Sequence, residues 1–271
     1  MNIISGTLSG AKKERLLQRF ARFGLASKGV VYCLMGVLTV LAALGLNSQK
    51  GNKNEAFKVV YDQPFGKVLL IIIAIGLCGY VTLRVFQAFF DIDDKGKDAK
   101  GIFTRLGYGA SAILYLGLVI YAIKLASGNP GGGDSKQFFI SKIMEYPMGE
   151  WIIGIAGLIV IGSGINQIYK GWSKKFMKRV QLYQSDYRNT FQKAGIAGYI
   201  ARGLVFSIIG YFLFRAALDS NPAEAEGTDA AFSFLQQNFG NVLMGVVALG
   251  LVLYGIFMFV RARYERIHFS Q

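Results

Sequence analysis

The chain is short of the residues that build catalytic and metal sites. Its 271 residues include one histidine, two cysteines and four prolines. The histidine, His268, lies in the C-terminal tail, which argues against a bis-histidine haem, a histidine-rich metal site or a catalytic triad inside the protein. Cys33 and Cys78 lie in apolar segments, where a free thiol packs as a small hydrophobic group. The sequence therefore predicts no catalytic residues, no metal and no cofactor.

Acidic residues are also scarce, with 16 Asp and Glu against 30 Lys and Arg. None lies well inside a long apolar segment. Proton- and sodium-coupled transporters usually hold an ionisable or unwound polar site near the membrane midplane, and no such site is evident in this sequence. The net charge of +14 is explained first by membrane orientation and anionic lipid, so we predict no nucleic acid partner.

Long apolar segments are abundant. Hydrophobic residues make up 53% of the chain and charged residues 17%. They form six segments, at 23–46, 66–90, 104–126, 149–171, 197–218 and 240–262. A helix that rises 1.5 Å per residue needs about 20 residues to cross a hydrocarbon core of about 30 Å. We therefore predict an all-α integral membrane protein with six transmembrane helices.

One pattern occurs three times along the chain. The motif ARFGLASKGVVY at 21–32 recurs around Gly107 as TRLGYGASAILY and around Gly198 as GIAGYIARGLVF. A second glycine follows at one constant separation, at Gly66, Gly149 and Gly240. Two anchors at a fixed spacing in three copies indicate an internal repeat of roughly 85 residues. Each copy holds two apolar segments, which predicts three helical hairpins related by approximate three-fold pseudosymmetry.

The repeats divide the chain into six parts. We predict a basic amphipathic tail at 1–22, repeats at 23–91, 104–172 and 194–264, an amphipathic linker at 173–193 and a second tail at 265–271. Apolar side chains in the linker recur at steps of three and four residues, which predicts a helix on the inner leaflet or a docking surface for a soluble partner. A short amphipathic helix is also predicted before each second glycine, because the residue before Pro64 or Pro147 resists helix.

Basic residues near the ends of the apolar segments predict the orientation of the chain across the membrane. The connection 170–193 carries seven Lys and Arg against one acid, whereas 219–239 has four acids and no base. Because cytoplasmic loops carry the excess of Lys and Arg, we predict that both termini are cytoplasmic and that each hairpin opens outward.

Three basic residues lie inside the predicted helices. Lys28 and Arg202 occupy the same repeat position, about one turn from the cytoplasmic end, with Ser111 in the middle copy. Arg84 is placed similarly on the second helix. Their side chains either snorkel to lipid phosphates or form a positive layer that binds lipid or another anion. We predict an anionic phospholipid head group near Lys28, Arg84 and Arg202.

Small residues recur five positions apart at the start of each repeat. Close helix packing is the expected reason, because glycine lets transmembrane helices approach one another. The glycines predicted to pack in this way are Gly24, Gly29, Gly107, Gly198 and Gly203.

The motif at 21–32, with QPFG at 63–66 and the positions of Tyr80 and Arg84, resembles a bacterial membrane family, the domain of unknown function twelve-oh-six. The resemblance implies three tandem two-helix repeats in a bacterial cytoplasmic (inner) membrane. It covers nearly the whole chain, and it implies no catalytic role because that family has no established activity.

The middle copy departs most from the family pattern. Ser111 and Ala112 replace the basic residue and glycine of the other copies, and GSG at 162–164 stands where the first copy has Gly79 and Tyr80.

Three classes of function remain. We favour a non-enzymatic scaffold or accessory subunit, or a lipid-binding partner of another membrane protein, because the helices have glycine-rich faces and no midplane charge. The alternative is a small channel or transporter, for anions, along the pseudo-three-fold axis. A membrane enzyme ranks third, because no acid, base, nucleophile or metal site is evident. A dry core of Leu, Ile and Phe would favour the scaffold, and a continuous polar path would favour conduction.

Cysteine labelling tests the orientation. In a background without Cys33 and Cys78, we expect Ile3→Cys and Phe269→Cys to react with a membrane-impermeant maleimide only after the cells are permeabilised, because both termini are predicted to be cytoplasmic. A cysteine placed in the acidic loop 219–239 is the control and should react in intact cells. Labelling at position 3 or 269 in intact cells would contradict the orientation.

Overall fold

The computed structural model describes residues 2–46, 51–129, 135–180 and 187–265. Those residues form helices and no strand, so the prediction of an all-α chain is confirmed. The eight α-helices are α1 (Asn2–Ala43), α2 (Lys53–Tyr61), α3 (Gly66–Phe89), α4 (Ala99–Ala126), α5 (Ser135–Met144), α6 (Gly149–Trp172), α7 (Arg188–Leu218) and α8 (Thr228–Tyr264). Two 3₁₀ helices lie at Lys175–Arg179 and Pro222–Glu224.

Six of these helices are long and apolar enough to cross a membrane, namely α1, α3, α4, α6, α7 and α8. Their outer faces carry exposed aliphatic side chains, such as Val68 and Ile71 on α3 and Val246 on α8. Such faces suit a hydrocarbon solvent, in which exposed apolar side chains cost nothing. The prediction of a multi-pass membrane protein with six transmembrane helices is confirmed.

Short helices cover one end of the bundle, which we call the hairpin end. Helix α2 begins at Asn52, whose side chain accepts a hydrogen bond from the Glu55 N–H at 2.8 Å, and it ends before Pro64. Helix α5 is its counterpart in the second copy. The third copy has no proline at this point, so its helix continues and bends at Gly240, where φ is 82°. The opposite end, which holds the start of α1 and the end of α8, is the termini end.

The linker does not form the single helix that we predicted over 173–193. In its described part the chain makes a 3₁₀ helix at Lys175–Arg179 and then becomes extended at Val180, which bridges to Glu265. The ring of Phe176 packs on the bundle, 4.9 Å from the ring of Tyr199 and 5.0 Å from that of Phe257. The helical spacing of apolar residues in this segment therefore reflects burial against the protein. Tyr183, which was part of the predicted stripe, lies outside the described residues.

Other predicted limits also differ from the structure. Helix α1 begins at Asn2, so the described part of segment 1–22 continues directly into the first membrane helix. Helix α7 begins at Arg188, before the predicted start at 197. In the C-terminal tail only Glu265 is described, and His268 lies outside the described residues.

The six long helices are arranged as an open ring. Neighbours pack in the order α4, α3, α1, α8, α7 and α6. Two kinds of interface alternate around the ring. One lies between helices of the same repeat, and the other lies between helices of two different repeats. Among the described residues, α4 and α6 do not pack along their lengths, although they belong to one repeat. The ring is therefore open inside the middle copy.

Glycines make the closed interfaces. A Cβ added at Gly24 would overlap the backbone of Tyr80, and one added at Gly198 would meet the backbone of Tyr254 at 2.6 Å. Gly29 and Gly203 lie as closely against the carbonyls of neighbouring helices. Gly107 departs from the prediction, because a Cβ there would meet nothing within 4 Å. The cause is the opening between α4 and α6.

A matched pair of substitutions tests this packing. Gly24→Ala should lower the free energy of unfolding by about 1–3 kcal/mol, because its methyl group has no room against α3. Gly107→Ala, at the same repeat position, should leave stability unchanged or raise it by up to about 1 kcal/mol, since alanine is the better helix former. Thermal unfolding in detergent measures both. Equal losses from the two variants would contradict the open interface.

Candidate functional site

Lys28 lies at the centre of the ring and is 1% exposed. Its ammonium group donates a hydrogen bond to the hydroxyl of Tyr80 at 2.8 Å. Four tyrosine rings surround the nitrogen, with centroids at 4.4 Å (Tyr80), 5.1 Å (Tyr115), 5.7 Å (Tyr254) and 5.8 Å (Tyr32). A cation over the face of an aromatic ring is attracted to its π electrons, so neutral groups provide the contacts of this charge.

Arg202 approaches the same centre from α7. Its Nε donates to the hydroxyl of Tyr32 at 2.9 Å, and its Nη1 donates to the Gln167 amide oxygen. The guanidinium lies 4.4 Å from the ring centroid of Phe206 and 5.0 Å from that of Tyr254. The Tyr32 hydroxyl also accepts a hydrogen bond from the Tyr115 hydroxyl at 3.4 Å. This bond connects Arg202 to the tyrosines that surround Lys28.

Arg84 completes the group from α3. Its Nε donates to the Tyr80 hydroxyl at 2.7 Å, so that one oxygen accepts hydrogen bonds from both Lys28 and Arg84. Its Nη1 donates to Gln87 at 2.8 Å. We call the set of Lys28, Tyr32, Tyr80, Arg84, Tyr115, Gln167, Arg202 and Tyr254 the cation–tyrosine cluster. Each of the six long helices contributes at least one member of it.

The members of the cluster come from only four positions of the repeat, counted from the first glycine of each copy. In the order of the three copies, the first position holds Lys28, Ser111 and Arg202, and the second holds Tyr32, Tyr115 and Phe206. The third position holds Tyr80, Ser163 and Tyr254, and the fourth holds Arg84, Gln167 and Met258. Because equivalent positions from three copies converge, the cluster surrounds the pseudo-three-fold axis. The middle copy contributes no cation.

The charge of the cluster is not balanced by acids. Among the described residues, no carboxylate forms an ion pair with Lys28 or Arg202. The charged groups that share its contacts are cations, since Arg84 donates to the same Tyr80 hydroxyl as Lys28 and Lys53 lies over the same Tyr115 ring. A buried cation without a partner is costly, most of all at membrane depth.

The lengths of α1 and α7 change where the two central cations lie along their helices. We predicted Lys28 and Arg202 about one turn inside the helix ends. Because α7 begins at Arg188, Arg202 lies roughly 21 Å from its start at 1.5 Å per residue. Lys28 is as far from Glu14, the first residue of the α1 membrane span. The Lys28 side chain is held by tyrosines inside the protein, so it does not snorkel to lipid phosphates.

A cavity of about 820 Å³ opens at the hairpin end. The start of α2, the end of α7 and the first turns of α8 line it, and its charged side chains are Lys53, Arg215, Glu226 and Asp229. The Lys53 ammonium lies 5.0 Å from the ring centroid of Tyr115 and 6.0 Å from that of Tyr32. This residue therefore belongs to the wall of the cavity and also contacts the cluster. We call the cavity the vestibule.

Aromatic packing lies on the other side of the cluster. The rings of Phe176, Tyr199 and Phe257 contact one another there, and Tyr199 reaches the Tyr254 ring at 5.4 Å. Phe176 and Phe257 are buried. Side chains of the linker, α7 and α8 therefore pack together on this side of the cluster.

The cluster can offer hydrogen bonds to an anion. Lys28 has three N–H donors and uses one on Tyr80, and the tyrosines add O–H groups. The part of the chain that the structure describes has no group of three or more His, Cys, Asp or Glu side chains that could hold a metal.

Sequence reasoning predicted the three cations but missed the tyrosines. Their recurrence at fixed repeat positions was the signal that could have found them.

Comparison with known proteins adds one relative. An uncharacterized protein of Bacillus subtilis (strain 168), YxxB, is 33% identical over 252 residues, which cover 92% of this chain and 91% of the relative. No solved structure matches the chain. The family model for the Domain of Unknown Function (DUF1206) matches three times, at residues 23–91, 106–174 and 197–265. Three tandem copies across nearly the whole chain mean that this protein belongs to the DUF1206 family.

Proposed function

We propose that the protein binds an anion at the cation–tyrosine cluster, inside the membrane. One observation carries the proposal. Lys28 is buried and Arg202 is half-buried at the centre of the bundle, and among the described residues each is hydrogen-bonded only to neutral groups. A bound anion would offset the cost of burying these charges, and the low dielectric of the interior would strengthen its attraction to them.

The unused donors favour an oxyanion. The Tyr80 oxygen already accepts from Lys28 and Arg84, so its own proton is available to a ligand. The Tyr254 hydroxyl makes no hydrogen bond with the described residues. Together with the ammonium of Lys28 and the guanidinium of Arg202, these groups suit a phosphate or carboxylate, whose several oxygens accept many hydrogen bonds.

The axis distinguishes between the functions that the sequence left open. Its centre is charged rather than filled with Leu, Ile and Phe, which supports anion binding over a purely structural scaffold. The vestibule reaches Lys53 beside the cluster, and this supports an anion channel or transporter as a second candidate. We propose no catalytic role.

An accessory role beside another membrane protein stays a prediction, as do the inner-membrane location and the cytoplasmic termini. With that orientation, the vestibule would face the outside of the cell. The anion would then reach the cluster from there, or from the surrounding lipid.

Anion-dependent stability tests the proposed function. The purified protein, stripped of lipid in detergent, is unfolded by heat in sodium phosphate and in sodium chloride at equal ionic strength. Phosphate at a hundredfold excess over Kd should raise Tm by about 5–11 °C, because a ligand that binds only the folded state stabilises it. In the double variant Lys28→Met/Arg202→Met the rise should disappear.

The control is Lys67→Met, which removes an exposed cation at the start of α3 and should keep the full response. Replacement of unpaired buried charge by an apolar side chain should not lower Tm in chloride, so a lost response cannot be attributed to unfolding. An equal phosphate response in the double variant, or no response in the unaltered protein, would overturn the proposal.

A further inference from the structure

We propose that the opening between α4 and α6 admits an anionic phospholipid sideways from the bilayer, and that the lipid phosphate binds the cation–tyrosine cluster. This inference rests on the proposed anion site and names its ligand. Its structural basis is the one interface of the ring that is not closed.

The opening is evident at the glycine that packs closely in the other two hairpins. In the first repeat Gly24 packs on the backbone of Tyr80, and in the third Gly198 packs on that of Tyr254. The equivalent residues of the middle copy are Gly107 and Ser163, and a Cβ on Gly107 would meet nothing within 4 Å. The close glycine contact of the other two hairpins is therefore missing from the middle copy.

A second pair of positions leads to the same conclusion. Gly79 of the first repeat lies against the carbonyl of Phe20, whereas its equivalent, Gly162, faces open space. Phe103 occupies the position of Phe20 in the middle copy and is half exposed, as is Ile159 one turn from Gly162. Both walls of the opening are therefore apolar, as acyl chains require.

The inner wall of the opening is the cluster itself. Tyr115 on α4 and Gln167 on α6 are both buried, and they contact Tyr32 and Arg202 respectively. A molecule between the two helices would therefore meet an apolar mouth and, behind the neutral side chains of Tyr115 and Gln167, the cations of the cluster. An anionic phospholipid has the complementary polarity, with a phosphate at one end and hydrocarbon at the other.

The depth of the cluster also suits a head group drawn inward from one leaflet. Arg84 lies about 8 Å from Phe89, the last residue of α3, and Tyr80 about 13 Å from it, at 1.5 Å per residue. The donors thus extend inward from the termini end toward the middle of the helices.

Lipid phosphate and free phosphate offer the cluster the same oxygens, and the route by which they arrive distinguishes them.

The experiment fills the opening and counts the lipids that remain bound. The full-length protein is reconstituted in nanodiscs of equal parts phosphatidylcholine and phosphatidylglycerol, re-extracted in mild detergent and examined by native mass spectrometry. The unaltered protein should retain phosphatidylglycerol about tenfold over phosphatidylcholine, as expected for attraction to two or more cations. Gly107→Trp and, separately, Gly162→Trp should abolish this enrichment, because the indole occupies open space between α4 and α6.

Leu116→Trp is the matched control. It lies about two and a half turns along α4 from Gly107, on the opposite side of the helix, and should keep the enrichment. Both glycine variants should also keep the phosphate-dependent rise in Tm, because we expect free phosphate to approach from the vestibule, where Lys53 contacts the cluster. That rise further verifies that each variant is folded.

Three outcomes separate the two proposals. Enrichment that survives both Gly107→Trp and Gly162→Trp would overturn the lateral route. No preference for phosphatidylglycerol, combined with a normal phosphate response, would overturn the lipid as ligand and leave the anion site in place. The absence of both lipid enrichment and phosphate response would overturn the proposed function as well.

Discussion

The burial of positive charge without a carboxylate partner is the constraint on which the rest of this structure depends. In the interior of a membrane protein, a cation is tolerated only where other groups replace its hydration. Tyr32, Tyr80, Tyr115 and Tyr254 provide that replacement for Lys28 and Arg202, and they come from four different helices. Their hydroxyls and aromatic faces can surround the charges only if the helices converge on one axis. The cluster therefore depends on the ring of six helices, and the helices can bury these charges only because the tyrosines contact them.

The second determinant is the loss of symmetry in the middle repeat. Ser111 replaces a cation there and Ser163 replaces a tyrosine, and Gly107 lacks the close backbone contact that Gly24 and Gly198 make. In the other two repeats the tyrosine backbone packs on a glycine and its ring contacts the Lys28 ammonium or the Arg202 guanidinium. The middle copy therefore contributes neither a cation nor a second-helix tyrosine to the cluster.

The sequence allowed the architecture to be predicted because its signals are local. Six apolar segments and a constant glycine spacing need no knowledge of tertiary contacts. The linker prediction was wrong because the spacing of Phe176 and Val180 indicates burial on one side without identifying the surface that buries them. Lys28 lies farther than one turn from the end of its helix because α1 continues past the apolar segment. The tyrosines were missed because an aromatic residue in a membrane helix is usually ordinary packing, and the departures of the middle copy gave no sign of which interface they would open.

High-resolution electron cryo-microscopy of the protein in nanodiscs that contain phosphatidylglycerol would test most directly whether a phosphate binds the cation–tyrosine cluster. We predict density for a phosphate about 3 Å from the Lys28 ammonium and the Arg202 guanidinium, with acyl chains leaving between α4 and α6. An ordered cluster without a bound anion would contradict it, as would an acidic side chain of the protein itself paired with these two cations.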